Sequence, residues 1–171
     1  MNAFLRPVLR RRQVLATALL GLLGVPCAVR AADRPLPAAE SLAQELQQAL
    51  SRGEPLVVMV SLHGCPFCKV VRESYLWPLR DTGLPVVQLD MRDRRTVLDF
   101  DGRSLTQDEW VRQHGVRIAP TVLFFGASAK EVAPRLNGAY LPDFYNAYLE
   151  EHLATARRAV QSKPSSRAGQ S

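Results

Sequence analysis

A chain of 171 residues, 47% hydrophobic and 22% charged, is long enough for one domain with an ordinary core and too short for two. Its formal charge of +6 is unevenly placed: Arg6, Arg10, Arg11, Arg12 and Arg30 lie in the first 31 residues with no acid among them, and Arg157, Arg158, Lys163 and Arg167 lie after Leu153. The body from Ala32 to Leu153 is left at about −3, so the basic isoelectric point is no argument for nucleic acid, and no nucleic-acid partner is expected.

The N-terminal arginines precede an apolar run, Val14 to Val25, and Val29-Arg30-Ala31 has the spacing of a signal-peptidase site. Twelve apolar residues fall short of the roughly 20 that a helix needs to span a bilayer. Residues 1–31 therefore read as a cleaved export signal, and a periplasmic location is expected. Arg11-Arg12-Gln13-Val14-Leu15 fits a twin-arginine pattern, and an ordinary Sec signal fits as well. Cys27 raises a lipoprotein reading, but Pro26 stands where a small residue is wanted, so lipidation is not expected.

A Pro-rich link (Arg34 to Pro37) leads into a helix carrying Leu42, Leu46 and Ala49, closed by Ser51-Arg52-Gly53. Pro55 to Leu62 is a nearly continuous apolar, β-branched run, the pattern of a strand buried on both faces. The cysteine turn HGCPFCK (63–69) follows, then a helix with Val70, Val71, Tyr75 and Leu76 on one face, expected to end at Trp77-Pro78. Leu84 to Met91 predicts a second strand. Thr96 to Phe100 and Arg103 to Leu105 predict a small hairpin around a type I′ turn at Asp101-Gly102. Thr106-Gln107-Asp108-Glu109 is a capping box for a helix through about Gln113, closed by Gly115.

Thr121 to Phe125 predicts a third strong strand, and Val132 to Leu136 a fourth, antiparallel to it. Leu141, Tyr145, Tyr148/Leu149 and His152/Leu153 form the stripe of a last helix, and from Ala154 to Ser171 a basic, disordered tail is expected. Met59, Trp77, Trp110 and the final aromatic stripe are expected in the core. The order implies an α/β fold, a mixed sheet with helices on both faces.

Once Cys27 leaves with the signal, Cys65 and Cys68 are the only cysteines. A ring that short removes little unfolded-state entropy, so the pair reads as reactive, with a structural disulfide as the alternative. Cys65 is expected at the N-cap of a helix, with Pro66 at N1, Phe67 at N2 and Cys68 at N3. There the Cys68 N–H and the helix dipole both favour a thiolate on Cys65. Thiols so placed have pKa values between about 3.5 and 7.5, against about 8.5 when free. Cys65 is thus the expected nucleophile and Cys68 the buried resolving thiol.

Zinc would need four ligands, and beyond the pair only His63, His114 and His152 are available. Haem attachment needs His after the second cysteine, where Lys69 stands. No metal or other cofactor is expected, although a copper-binding or cofactor-maturation module using both thiolates remains the alternative reading. His63 reads either as a positive neighbour of Cys65 or as a polar strand end.

Over residues 38–153 the chain resembles the thioredoxin superfamily. The resemblance is carried by Cys65-Pro66-Phe67-Cys68 after the hydrophobic strand, by Ala119-Pro120-Thr121 before the later one, and by the element order. It implies a central mixed four-stranded sheet flanked by helices and a cis Pro120. Pro66, Phe67, Ala119 and Pro120 would be the substrate-binding residues. The small hairpin before the Pro120 strand looks more like the exported SoxW-like and DsbC-like proteins. The resemblance implies thiol:disulfide exchange with protein or peptide thiols and a membrane or periplasmic redox partner. Two features depart from thioredoxin: Gly64 precedes the first cysteine in place of Trp, and the family's buried acid aligns with Met59.

Overall fold

A computed structural model describes residues 34–139 and 142–162. The expected signal (1–31), Leu141 and the last nine residues of the expected tail lie outside the described residues.

Ser41 Oγ accepts the Gln44 N–H and opens α1, Leu42–Ser51, whose Leu42, Leu46 and Ala49 are buried. Gly53, in the left-handed region at φ 72°, turns the chain into β1, Leu56–Ser61, buried at every residue. Side-chain alternation divides that strand between two cores. Val57 and Met59 join one, and Leu56, Val58 and Val60 join the other.

The chain then enters α2, Pro66–Val70, a π-helical stretch, Val71–Leu76, and α3, Trp77–Asp81. The helical run therefore does not stop at Trp77-Pro78. The wider π turn lets α3 begin afresh with Pro78 in its first turn, where its missing N–H leaves no helical bond unmade.

β2, Val86–Asp90, pairs parallel with β1 from Val57↔Val86 to Ser61↔Asp90. The Pro-rich link is held along this edge: the Gln88 N–H donates to the Pro37 carbonyl at 2.8 Å, and the Trp77 indole N–H donates to the Arg34 carbonyl at 2.8 Å. The Arg34 guanidinium sits 3.5 Å over the Trp77 ring. Trp77 is thus half-buried, packed at the edge of the core and clamping the link, whereas Met59 and Trp110 are fully buried.

β3, Thr96–Leu98, and β4, Ser104–Thr106, form the small hairpin. Its turn is not the two-residue type I′ turn expected. The Gly102 N–H bonds back to the Asp99 carbonyl, and Asp99 Oδ1 accepts the N–H groups of Asp101 and Arg103 at 2.9 and 2.8 Å. Asp at the first position and a left-handed Gly at the fourth favour this longer loop.

Asp99 is only 4% exposed. Burial raises its pKa, but the backbone donors of Arg103 and Asp101 and the Arg103 guanidinium outweigh that and hold it below the usual carboxylate range. Because the folded pKa is depressed, the stabilisation is complete above about pH 4 and is lost as pH falls through the folded value. Asp99→Ala is expected to cost about 1 kcal/mol at pH 7 by urea unfolding. The gap from wild type should narrow in acid.

The Thr106 N–H donates to Glu109 Oε2 at 2.8 Å, completing the capping box of α4, Gln107–Gln113. β5, Thr121–Phe125, lies antiparallel to β1 with Val58↔Leu123 in register. The fourth strand is displaced from the expected Val132–Leu136: β6 is Leu136–Asn137, paired with Val122 and Thr121. Upstream, only a bridge at Phe125↔Glu131 and the Val132 N–H to the Phe124 carbonyl touch β5. Pro134, which lies between these contacts and β6, has no N–H to donate and interrupts the ladder.

The last helix, α5, spans Pro142–Gln161, eight residues beyond the expected start of the tail at Ala154. Ala156 continues its buried stripe, Arg157 Nε bonds Glu54 Oε2 at 2.7 Å, and Gln161 reaches the Gly53 carbonyl. These anchors extend the helix past the point where large apolar residues end.

The sheet runs β2-β1-β5-β6, with β5 antiparallel to the parallel pair and β6 antiparallel in turn to β5. Residues of α2, the π stretch and α5 pack on one face, and residues of α1 and α4 on the other. A mixed four-stranded sheet covered on both faces, with the β3–β4 hairpin before β5, is the thioredoxin fold.

Candidate functional site

β1 is buried throughout and ends at Ser61, with only Leu62 before the turn, so the strand sets the turn's position. Gly64 at φ 72° reverses the chain, a conformation that costs little only without a Cβ. Cys65 follows with extended backbone at the N-cap of α2, and Pro66 takes N1. The Cys68 N–H points at Cys65 Sγ, 3.1 Å away, and the two sulfurs form a disulfide with Cα atoms 5.2 Å apart. Cys68 is 1% exposed, whereas Cys65 is half-buried and lines a cavity, so the first cysteine is the more accessible of the two.

Cys68 belongs to the apolar cluster of Met59, Val57, Val71, Leu76, Val122 and Phe124. Met59 is fully buried at the position where the superfamily carries an acid. The cluster's polar exception is Tyr145, whose ring lies 4.8 Å from that of Tyr75. The Tyr145 hydroxyl is buried and has no hydrogen-bond partner among the described residues, and burial followed by Tyr75 pushes its pKa up.

The four residues expected to bind substrate are placed unevenly. Phe67 is 61% exposed on the first turn of α2, and with exposed Val70 it forms an apolar rim beside Cys65. Pro66 is also exposed. Ala119 packs, like Cys65, against the Cys68 cluster. The Ala119–Pro120 peptide is cis, Pro120 is buried, and its carbonyl accepts the Gly138 N–H at 2.7 Å.

A cavity of about 690 Å³ opens beside Cys65, and Phe67, Ala119 and Pro120 do not line it. Its walls are Ser61 to Pro66, Lys69 and Arg72 from one side, and Gln88, Asp90, Arg92, Asp93 and Arg95 from the other, with Pro35 of the link. Parallel pairing makes this groove, because it brings the carboxyl ends of β1 and β2 together. The Met91 N–H donates to the Ser61 carbonyl at 2.9 Å and holds the following Arg-rich loop beside the cysteine turn. Arg95 is hydrogen-bonded to Asp93 and holds that carboxyl below its usual range. Sequence reading missed this groove because its residues come from separate segments. The available signal was the cluster Arg92-Asp93-Arg94-Arg95 directly after a strand parallel to the one that delivers Cys65.

Among the described residues, no group of three or more His, Cys, Asp or Glu side chains is placed to hold a metal ion. His63 is exposed on the turn.

Fold and site together define a thioredoxin-fold protein with a disulfide between an accessible N-cap cysteine and a buried partner. The family model for the thioredoxin-like domain matches residues 42–153, and the chain belongs to that family. No curated protein matches the chain. Among solved structures, it is similar to a thioredoxin-fold protein from Helicobacter pylori at 16% identity (66% of this chain, 76% of that one, TM-score 0.47). It is also similar to Fasciola hepatica thioredoxin at 17% identity (70% and 97%, TM-score 0.46). A third similar structure is the periplasmic thioredoxin SoxS of Paracoccus pantotrophus, at 25% identity (60% and 99%, TM-score 0.39).

Proposed function

We propose that this chain is an exported, periplasmic thiol:disulfide oxidoreductase of the SoxW-like or DsbC-like kind, acting on protein or peptide thiols through Cys65-Pro66-Phe67-Cys68. The observation that carries the reading is the asymmetry of the pair: Cys65 is open to the groove and takes the Cys68 N–H, while Cys68 is enclosed.

In the oxidising direction, a substrate thiolate attacks Cys65 Sγ. A substrate–Cys65 disulfide forms, the Cys65–Cys68 bond breaks, and Cys68 leaves as a thiolate that takes a proton from water. A second substrate thiolate then attacks its own sulfur in the mixed disulfide, and Cys65 departs. The substrate loses two electrons and the protein gains them. The reverse sequence reduces a disulfide, with Cys65 attacking and Cys68 resolving. Pro66, Phe67, Ala119 and Pro120 frame the reacting sulfur, and a membrane or periplasmic redox partner resets the pair.

Equilibration with glutathione buffers, followed by alkylation and mass measurement, tests the reading. A single reversible two-electron couple is expected between about −270 and −120 mV, together with catalysis of exchange above the glutathione background. Tight stoichiometric Cu(I) retention by the reduced protein without exchange activity would overturn it in favour of a copper-binding module.

A further inference from the structure

We infer that the groove beside Cys65 selects substrates whose reacting cysteine is flanked by acidic residues. The inference rests on the oxidoreductase reading and adds the substrate class.

The groove carries Lys69, Arg72, Arg92 and Arg95 against Asp90 and Asp93. Arg72 is buried and bonded to Gln88, and even with it set aside the cations outnumber the carboxylates. Asp93 is already committed to Arg95 through hydrogen bonds to both its guanidinium and its backbone N–H. Asp90 Oδ1 accepts the Arg92 backbone N–H at 2.9 Å and leaves the Arg92 guanidinium free. Among the described residues, neither Arg92 nor its exposed neighbour Arg94 makes a side-chain hydrogen bond or an ion pair. Lys69 reaches only Glu73, at 4.0 Å.

This cationic excess is local. With Arg157 and Arg158 of α5 counted, residues 34–162 carry 15 basic and 15 acidic side chains, so the excess belongs to the groove and not to the folded body as a whole, and acidic substrates are drawn to it. A guanidinium offers five donors in a planar fork that fits a carboxylate in two parallel bonds. A cavity of about 690 Å³ exceeds what one small anion fills and holds a few residues of extended chain, so the ligand is a peptide segment and not a free ion. The substrate's thiol or disulfide would meet Cys65 at the groove wall, with flanking Asp or Glu side chains on Arg92 and Lys69. Exchange then follows the atom and electron balance given above.

The test uses three dithiol peptides, identical except for Glu, Ser or Lys at the positions flanking each cysteine, oxidised by the disulfide form of the protein in stopped flow. The second-order rate constant is expected to fall in the order Glu, Ser, Lys, by about tenfold between extremes at low salt. The order should collapse between about 0.01 M and 1 M ionic strength. Lysine flanks lower a thiol's pKa and raise its thiolate fraction, so a preference for Glu cannot arise from the peptide's own chemistry. Arg92→Gln should narrow the Glu-to-Lys ratio, and Arg92→Glu should narrow it further or reverse it.

Equal rates for the three peptides, or a preference for Lys, would overturn the inference while leaving the exchange activity in place. Exchange with none of the peptides would overturn the oxidoreductase reading and the inference together. The wild-type peptide and salt series decides the matter even if a variant at position 92 fails to fold.

Discussion

Reduced Cys68→Ser is expected to accumulate a covalent adduct on Cys65 when mixed with a disulfide substrate, whereas Cys65→Ser is expected to form none and to lose exchange to the uncatalysed background. The difference follows from placement. Cys65 is only half-buried, sits at the N-terminus of α2 and accepts the Cys68 N–H, so its thiolate is stabilised and the more accessible of the two. Cys68 is 1% exposed, and its reaction with an outside disulfide would require α2 to open. With Cys68 replaced, the mixed disulfide on Cys65 has no neighbouring thiol to expel the substrate, and mass spectrometry under non-reducing conditions should find it. An adduct on Cys68 in the Cys65→Ser variant, at a rate comparable to that on Cys65 in the other, would reverse the assignment of roles.

The cysteine turn was legible before any coordinates because its signals are local. A buried strand, a Gly that tolerates positive φ, an N-cap position and Pro at N1 all fall within a dozen consecutive residues. The two sheet faces were legible for a similar reason, since alternation along β1 and β5 needs no knowledge of partners. What escaped the sequence depends on contacts between distant segments. Trp77 looked like a core residue, but Arg34 lies over its ring, and that contact spans 43 positions. The end of α5 looked frayed because its anchors, Glu54 and the Gly53 carbonyl, lie more than 100 residues away. The π stretch also conflicts with the usual reading of Pro78, since proline as a helix stop presumes a regular i to i+4 ladder before it. The groove follows the same rule. Arg92 and Cys65 share a cavity only because β1 and β2 pair in parallel with Ser61 opposite Asp90.

Met59→Asp is expected to lower stability by several kcal/mol at pH 7 and by much less near pH 4. Position 59 is fully buried in the apolar cluster that contains Cys68. Desolvation disfavours the charged form, so the folded-state pKa of the new carboxyl would lie several units above the unfolded value of about 3.9. The folded state then holds its proton over a range where the unfolded state has released it, and stability falls with rising pH by about 1.4 kcal/mol per unit across that range. The loss begins near the unfolded pKa and levels off at the folded one. Met59→Leu conserves volume and should cost under about 1.5 kcal/mol at every pH. Met59→Asn, polar but not ionisable, should cost a constant amount. Urea unfolding of the three variants between pH 4 and 8 separates these contributions. A flat profile for Met59→Asp, parallel to that of Met59→Asn, would mean that water reaches the cluster and that Cys68 is deprotonated in a hydrated site. The expected steep profile would mean that wild-type Cys68 sits in a dry one. In that case, resolution of the mixed disulfide should accelerate with pH as the Cys68 thiol itself ionises, with no carboxylate at position 59 to take its proton.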